Sequence, residues 1–247
     1  GPVIYYRLWK DTDATGSLVA LAVSGIVVGL ILYGLVPGFI EVSQYFELFF
    51  VNTLGFSYNV GVLVYAILAV ASFIWAIREL YSQTSVRRIR WSVALSILLS
   101  GIPFIGNSMW IPVVIMGGVI GYLFWAKKIP VRILNLVVMS IFVIFIGYSS
   151  YALLLIRSTA NPPMNQNAPD NVFALASYLN REQYGERPLF YGQTNQSSVV
   201  YEADPSGQLS PQYTDGAPQY SKVTKSSPDE PDRYIFQGYK KNYRMSP

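Results

Sequence analysis

Two uncharged apolar runs constrain this chain before anything else does. Residues 17–39 and 133–156 each pass twenty positions without an Asp, Glu, Lys or Arg. About 20 apolar residues at 1.5 Å rise suffice to cross a hydrocarbon core ~30 Å thick. A helix that is apolar all round belongs in lipid or deep inside a large protein. Residues 58–80 repeat the pattern and end in Trp75 and Arg78. Residues 91–105 and 111–125 add two shorter stretches, joined by Gly106-Asn107-Ser108-Met109-Trp110 and flanked by Pro103 and Pro112. The expectation is an all-α membrane protein with about five transmembrane helices. Its middle pair forms a hairpin with Trp110 at the outer interface. Gly25 and Gly29, together with Gly117, Gly118 and Gly121, have the small-residue spacing that allows helices to cross closely.

Charge then orients the bundle. Arg87, Arg88 and Arg90 follow the second run, and Lys127, Lys128 and Arg132 follow the fourth. Lys and Arg concentrate on the cytoplasmic side of membrane helices. Residues 1–16 are therefore expected in the cytoplasm, residues 17–156 in the membrane and residues 157–247 outside it. The net charge of +4 lies entirely in residues 1–156, with nine Lys/Arg against five Asp/Glu, whereas residues 157–247 hold nine of each. Membrane topology accounts for that excess, and nothing supports nucleic-acid binding.

Residues 41–54 differ in kind. Tyr45, Phe46, Phe49 and Phe50 recur at helical spacing while Glu41, Gln44 and Glu47 interrupt the apolar run. This composition predicts a helix lying in the membrane interface. Glu41 and Glu47 are the acidic residues between the spans and so the candidates for a general base. Six positions apart, they do not share a helical face, which also fits a simple solvated polar edge.

Histidine and cysteine are both absent. Disulfides, thiol nucleophiles, Cys/His zinc sites and histidine bases are thereby excluded, and acid–base work falls to Asp, Glu, Lys or Tyr. No acidic cluster has metal-ligand spacing, and no phosphate-loop or dinucleotide motif occurs. No cofactor is identified.

Beyond Arg157 the composition changes. Ten of the fifteen prolines and nine of the nineteen tyrosines lie there. Asn161-Pro162-Pro163 ends the last span. Asp170 or Asn171 is placed to cap a short helix with Val172, Leu175 and Leu179 on one face, and Gly185 to end it. Residues 188–192, 198–202 and 234–239 read as strands, with turns at 204–207 and 213–216. Residues 221–232, charged and Pro-rich, read as disordered or ordered. The external part is expected to be a small α+β region.

The stretch across this boundary carries a resemblance. Asn161-Pro-Pro-Met-Asn165, then Tyr178-Leu-Asn-Arg-Glu-Gln-Tyr-Gly185 and Arg187-Pro-Leu-Phe-Tyr-Gly192, resemble a family of large bacterial membrane proteins. That family is related to protein O-mannosyltransferases of the GT-C glycosyltransferase class. The resemblance implies an enzyme of the bacterial inner membrane, working on its periplasmic side. Such an enzyme moves a mannose-like sugar from a polyprenyl-phosphate donor to protein hydroxyls. It further implies an acidic catalytic motif near the N-terminus, in the first external loop, which is not found in this chain, and it names a missing N-terminal portion or other membrane subunits as partners. Within this chain it points to Arg181, Glu182, Tyr184, Arg187 and Tyr191 as the donor- and substrate-binding candidates. An Arg181 guanidinium can grip a phosphate with two bonds, and Tyr184 and Tyr191 can stack on a sugar or cover an acyl chain. Structural Arg–Glu pairing is the competing use of these residues. A rival role for the whole chain is a non-catalytic membrane anchor whose external region binds a protein partner.

Overall fold

The computed structural model describes residues 14–104, 110–125, 130–165, 168–180, 197–203, 208–223, 227 and 230–244. Helix α1 runs unbroken over Thr15–Thr53, 39 residues. Pro37 does not break it, although a proline ring removes one helical hydrogen bond and clashes with the carbonyl a turn earlier. The chain widens into a π-turn over Leu30–Leu35 just before Pro37, and so relieves that clash. A second π-turn, Phe49–Thr53, closes the helix. Residues 41–53 thus prolong the first span in the same rod, where the sequence predicts a separate interfacial element.

After a short loop follow α2 (Val60–Ser82), α3 (Val86–Leu99), α4 (Trp110–Trp125) and α5 (Val131–Thr159). Among the described residues three helices, α1, α2 and α5, are long and apolar enough to cross a membrane. The other two, α3 and α4, have 14 and 16 residues, so each reaches only ~21–24 Å. At Ser149 in α5, the hydroxyls of Ser149 and Ser150 bond back to the Ile146 and Gly147 carbonyls and loosen one turn.

The helical core joins α2, α3, α4 and α5 through Phe73, Ala76, Leu80, Ile89, Val93, Leu123, Leu134 and Val138. Ser92, Ser96 and Ser100, spaced by four, are buried on α3. Each hydroxyl is satisfied by the carbonyl three residues earlier, at 3.1, 2.9 and 2.6 Å. Small side chains with no unmet hydrogen bond let two apolar helices approach. The glycine pairs expected to do this do not: an added Cβ at Gly25, Gly29, Gly117, Gly118 or Gly121 would meet nothing within 4 Å. The close approaches fall at Gly38, Gly61 and Gly101 instead.

Past α5, α6 (Val172–Leu179) begins where expected. Asn171 is the cap, its Oδ1 accepting from the Phe173 and Ala174 amides at 2.9 Å each. The helix ends at Leu179, and Gly185, expected to end it, lies outside the described residues. Two antiparallel pairs follow, β1 (Tyr201–Ala203) with β2 (Leu209–Pro211) and β3 (Tyr213–Lys222) with β4 (Tyr234–Tyr243). The turn predicted at 213–216 is instead the start of β3, with a register shift between Asp215 and Pro218. That shift leaves Pro218 within the strand, which a two-stranded pair with free edges tolerates. Val200 bonds to Gln212 and Arg244 through its backbone and so joins the two pairs. The strands expected at 198–202 and 234–239 correspond to β1 and β4. The strand expected at 188–192 and the turn at 204–207 lie outside the described residues.

Candidate functional site

A fully buried carboxylate sits where α1 ends, α2 begins and the β3–β4 hairpin lands. Glu47, on the last turns of α1, is 0 % exposed. Gly61 makes this possible, because a Cβ there would lie 2.5 Å from the Glu47 Cα and the Phe46 carbonyl oxygen. With no side chain in the way, the first turn of α2 lies directly on Glu47. Glu47 Oε1 accepts from the Asn59 amide at 2.5 Å, and Oε2 accepts from the Val62 amide at 3.3 Å. A carboxylate is favoured at a helix N-terminus because unpaired amides and the helix dipole meet there. Here the cap comes from another helix. Asn59 itself adopts the left-handed conformation, φ 70°, and its own side chain does not cap α2.

The third donor to Glu47 arrives from 187 positions away. The Tyr234 hydroxyl, at the start of β4, donates to Oε1 at 3.2 Å. Burial, reinforced by the Glu47 carboxylate beside it, pushes the Tyr234 hydroxyl well above its ordinary value near 10. Around this bond the hairpin is fastened by backbone pairing. The Asn52 side-chain amide donates to the Tyr234 carbonyl at 3.0 Å and its oxygen accepts from the Tyr234 amide at 2.8 Å. The Tyr58 hydroxyl donates to the Arg233 carbonyl at 2.9 Å, and the Tyr58 amide donates to Asp232 at 3.0 Å. Phe173 of α6 and Tyr58 pack on the Tyr234 ring at centroid distances of 5.1 and 4.9 Å. Asp170, the other cap candidate, pairs with Lys222 of β3 at 2.5 Å, and Lys222 lies 5.1 Å from the Tyr58 ring centre.

A second buried carboxylate closes the other end of α2. Glu79, 2 % exposed, accepts from Trp75 Nε1 at 3.1 Å, from the Thr84 hydroxyl and from Arg88 at 2.6 Å. It ties the α2–α3 turn to the arginine cluster. The two ends of α2 therefore carry different partners: the β3–β4 hairpin at Val60, the arginines beyond Ser82.

Of the residues expected at a site, Glu47 is filled by three donors and meets no open space. Glu41 lies half-buried six residues earlier, on a different face of α1. Arg181, Glu182, Tyr184, Arg187 and Tyr191 lie outside the described residues. Among the described residues no group of acidic side chains is placed to hold a metal ion. An open polar depression of about 540 Å³ lies beside β1 and β2, between Glu202, Gln212, Thr214 and Arg244. Tyr234, Asn52 and Lys222 carry no sequence signal, since their partners are far away along the chain. The Trp75–Glu79 contact does have one, the i, i+4 spacing on a helix. Comparison with protein-family models, with curated proteins and with solved structures finds no match.

Proposed function

We propose that this chain is the membrane-embedded, donor-side part of a GT-C-type glycosyltransferase of the O-mannosyltransferase kind, with the catalytic carboxylate supplied from outside it. Two things support the reading. The motifs at residues 161–165 and 178–192 resemble that family. In addition, Glu47, the best-placed acid between the spans, has its oxygens taken by structural donors. In such a reaction the acceptor hydroxyl oxygen attacks the anomeric carbon as the carbon–oxygen bond to the lipid phosphate breaks. A carboxylate takes the hydroxyl proton, and positive groups hold the departing phosphate. Arg181 is the phosphate grip in this reading, with Tyr184 and Tyr191 against the sugar.

The chain in nanodiscs is expected to bind a polyprenyl phosphate weakly and to transfer no mannose from a polyprenyl-phosphate donor to an acceptor peptide. Turnover by this chain alone would overturn the assignment of the base. In a fuller protein that does transfer, Arg181→Lys is expected to weaken donor use about tenfold, the equivalent of ~1.4 kcal/mol, at unchanged thermal stability. A fall in stability with normal donor kinetics would return Arg181 to a structural role. Absence of donor binding in both would leave the partner-binding anchor.

The orientation belongs to the same proposal. The five-helix bundle sits in a bacterial inner membrane with residues 1–16 cytoplasmic and residues 157–247 periplasmic. Since α3 and α4 go and return, this sidedness is the same whether they cross fully or dip. Single cysteines report it cleanly in a chain that has none. In spheroplasts, Tyr81→Cys, beside the arginine cluster and 88 % exposed, is expected to resist an impermeant thiol reagent, while Ser227→Cys reacts. The reverse pattern would refute the orientation.

A further inference from the structure

The face of the β3–β4 hairpin that carries Tyr234 continues outward as an uncovered aromatic stripe. Alternate residues of a strand share a face, so Phe236 points the same way as Tyr234, toward the helix ends. Its ring packs at a tilt against Tyr220 at 5.5 Å, and Tyr220 in turn packs on Phe173 of α6 at 4.8 Å. Beyond Phe236 the alternation would turn Tyr239 away. A register shift between Gln219 and Tyr220, opposite Gly238 at φ 121°, adds one residue and turns it back. Tyr239 accordingly meets Phe236 edge-on at 5.2 Å. Lys241 and Tyr243 follow at steps of two. Lys241 lies 4.3 Å from the centre of the Tyr213 ring, and Tyr213 stands T-shaped against Tyr243 at 6.2 Å. The opposite face is mostly polar, with Gln237 donating to Ser221 at 2.7 Å and Thr214 facing Asn242, and carries Ile235 as its exposed apolar residue.

Phe236 and Tyr239 nevertheless remain 47 % and 53 % exposed. The bonds from Asn52, Tyr58 and Glu47 fix the level of the hairpin, because they join it to the last turn of one membrane helix and the first of the next. With α2 crossing a membrane, that level falls at the headgroup layer. Phe49, Leu54 and Phe56 at the α1–α2 junction are exposed as well. The Tyr, Phe and Lys of the hairpin face are the composition of a membrane–water boundary rather than of the hydrocarbon core.

We propose that the aromatic face of the β3–β4 hairpin rests on the phospholipid headgroup layer beside α1 and α2, as a lateral membrane anchor. Because Asp215 stands opposite Lys241 in the register, the anchor is amphipathic rather than cationic, and a zwitterionic surface suffices. The inference rests on the helices being in a membrane and is independent of any transfer activity.

The test uses the full chain in phosphatidylcholine nanodiscs with single spin-labelled cysteines. Phe236→Cys and Tyr239→Cys read the aromatic face, Gln237→Cys and Asn242→Cys the polar one. On the aromatic face the label is expected to gain collisions with lipid-soluble oxygen and lose them with a water-soluble nickel chelate. The polar face should show the reverse. Should Phe236→Cys disturb the fold, Tyr243→Cys reads the same stripe farther out. Free access of the chelate to both faces would overturn the proposal. So would an aromatic face closed to both reagents, since protein, from a second copy or a partner, would then cover it.

Discussion

Glu47→Ala is expected to release the β3–β4 hairpin from the helix ends. It strands the Asn59 and Val62 amides and the Tyr234 hydroxyl together. A buried donor left without a partner costs roughly 1–3 kcal/mol, so the loss should exceed about 3 kcal/mol against a total stability of ~5–15 kcal/mol. Tyr234→Phe removes a single donor and should cost only ~1 kcal/mol. Hydrogen exchange at the β4 amides reads the release directly, and unchanged protection in Glu47→Ala would remove Glu47 from its structural role. Alkaline pH acts on the same bond. The Tyr234 hydroxyl titrates above its ordinary value near 10 in the folded chain. In the unfolded chain it loses its proton near that ordinary value. Its contribution to stability is therefore complete below pH 10 and declines as pH rises beyond it. Tyr234→Phe should lack this part of the alkaline decline in melting temperature.

The glycines are expected to divide sharply. A Cβ on Gly38 would stand 2.0 Å from the Gly101 carbonyl oxygen, and one on Gly101 would stand 2.2 Å from the Phe39 amide nitrogen. Both obstacles are backbone, which cannot rotate aside. Gly101 also has φ 81°, a conformation that costs a side-chain-bearing residue ~1–2 kcal/mol even in open space. Gly38→Ala and Gly101→Ala should therefore abolish most of the folded yield. Gly25→Ala and Gly29→Ala meet open space and should stabilise α1 by up to about 1 kcal/mol each, through helix propensity alone. Detergent-solubilised yield and melting temperature of the four variants check this. Equal tolerance at Gly38 and Gly25 would contradict the backbone contact.

That division shows what the chain makes legible. The apolar runs announce α1, α2 and α5 because burial in lipid needs only length and absence of charge. The cap at Asn171 and the strand at Tyr234 are local chemistry and also readable. A glycine pair four apart, by contrast, states only that close approach is permitted. Whether another backbone arrives is decided by distant residues, and it arrives at Gly38, Gly61 and Gly101. The continuity of α1 is hidden in the sequence because Glu41, Gln44 and Glu47 interrupt the apolar run and read as a separate interfacial helix, whereas the fold buries Glu47 within the same rod. Glu47 was visible as an acid between spans. Its use was not, since two of its donors are main-chain amides and the third lies at Tyr234.

The length of α1 has a mechanical consequence. At 39 residues the rod measures ~58 Å, almost twice the hydrocarbon thickness. Its upper end is clamped to the hairpin, and its π-turn at Leu30–Leu35 is the natural flexing point. The arm from there to Thr53 is ~27 Å long. A tilt of about 10° at the π-turn would swing the clamped end by ~5 Å, the length of one helical turn. A tilt between the two halves of the rod is thus geared to displacement of the sheet clamped at its end.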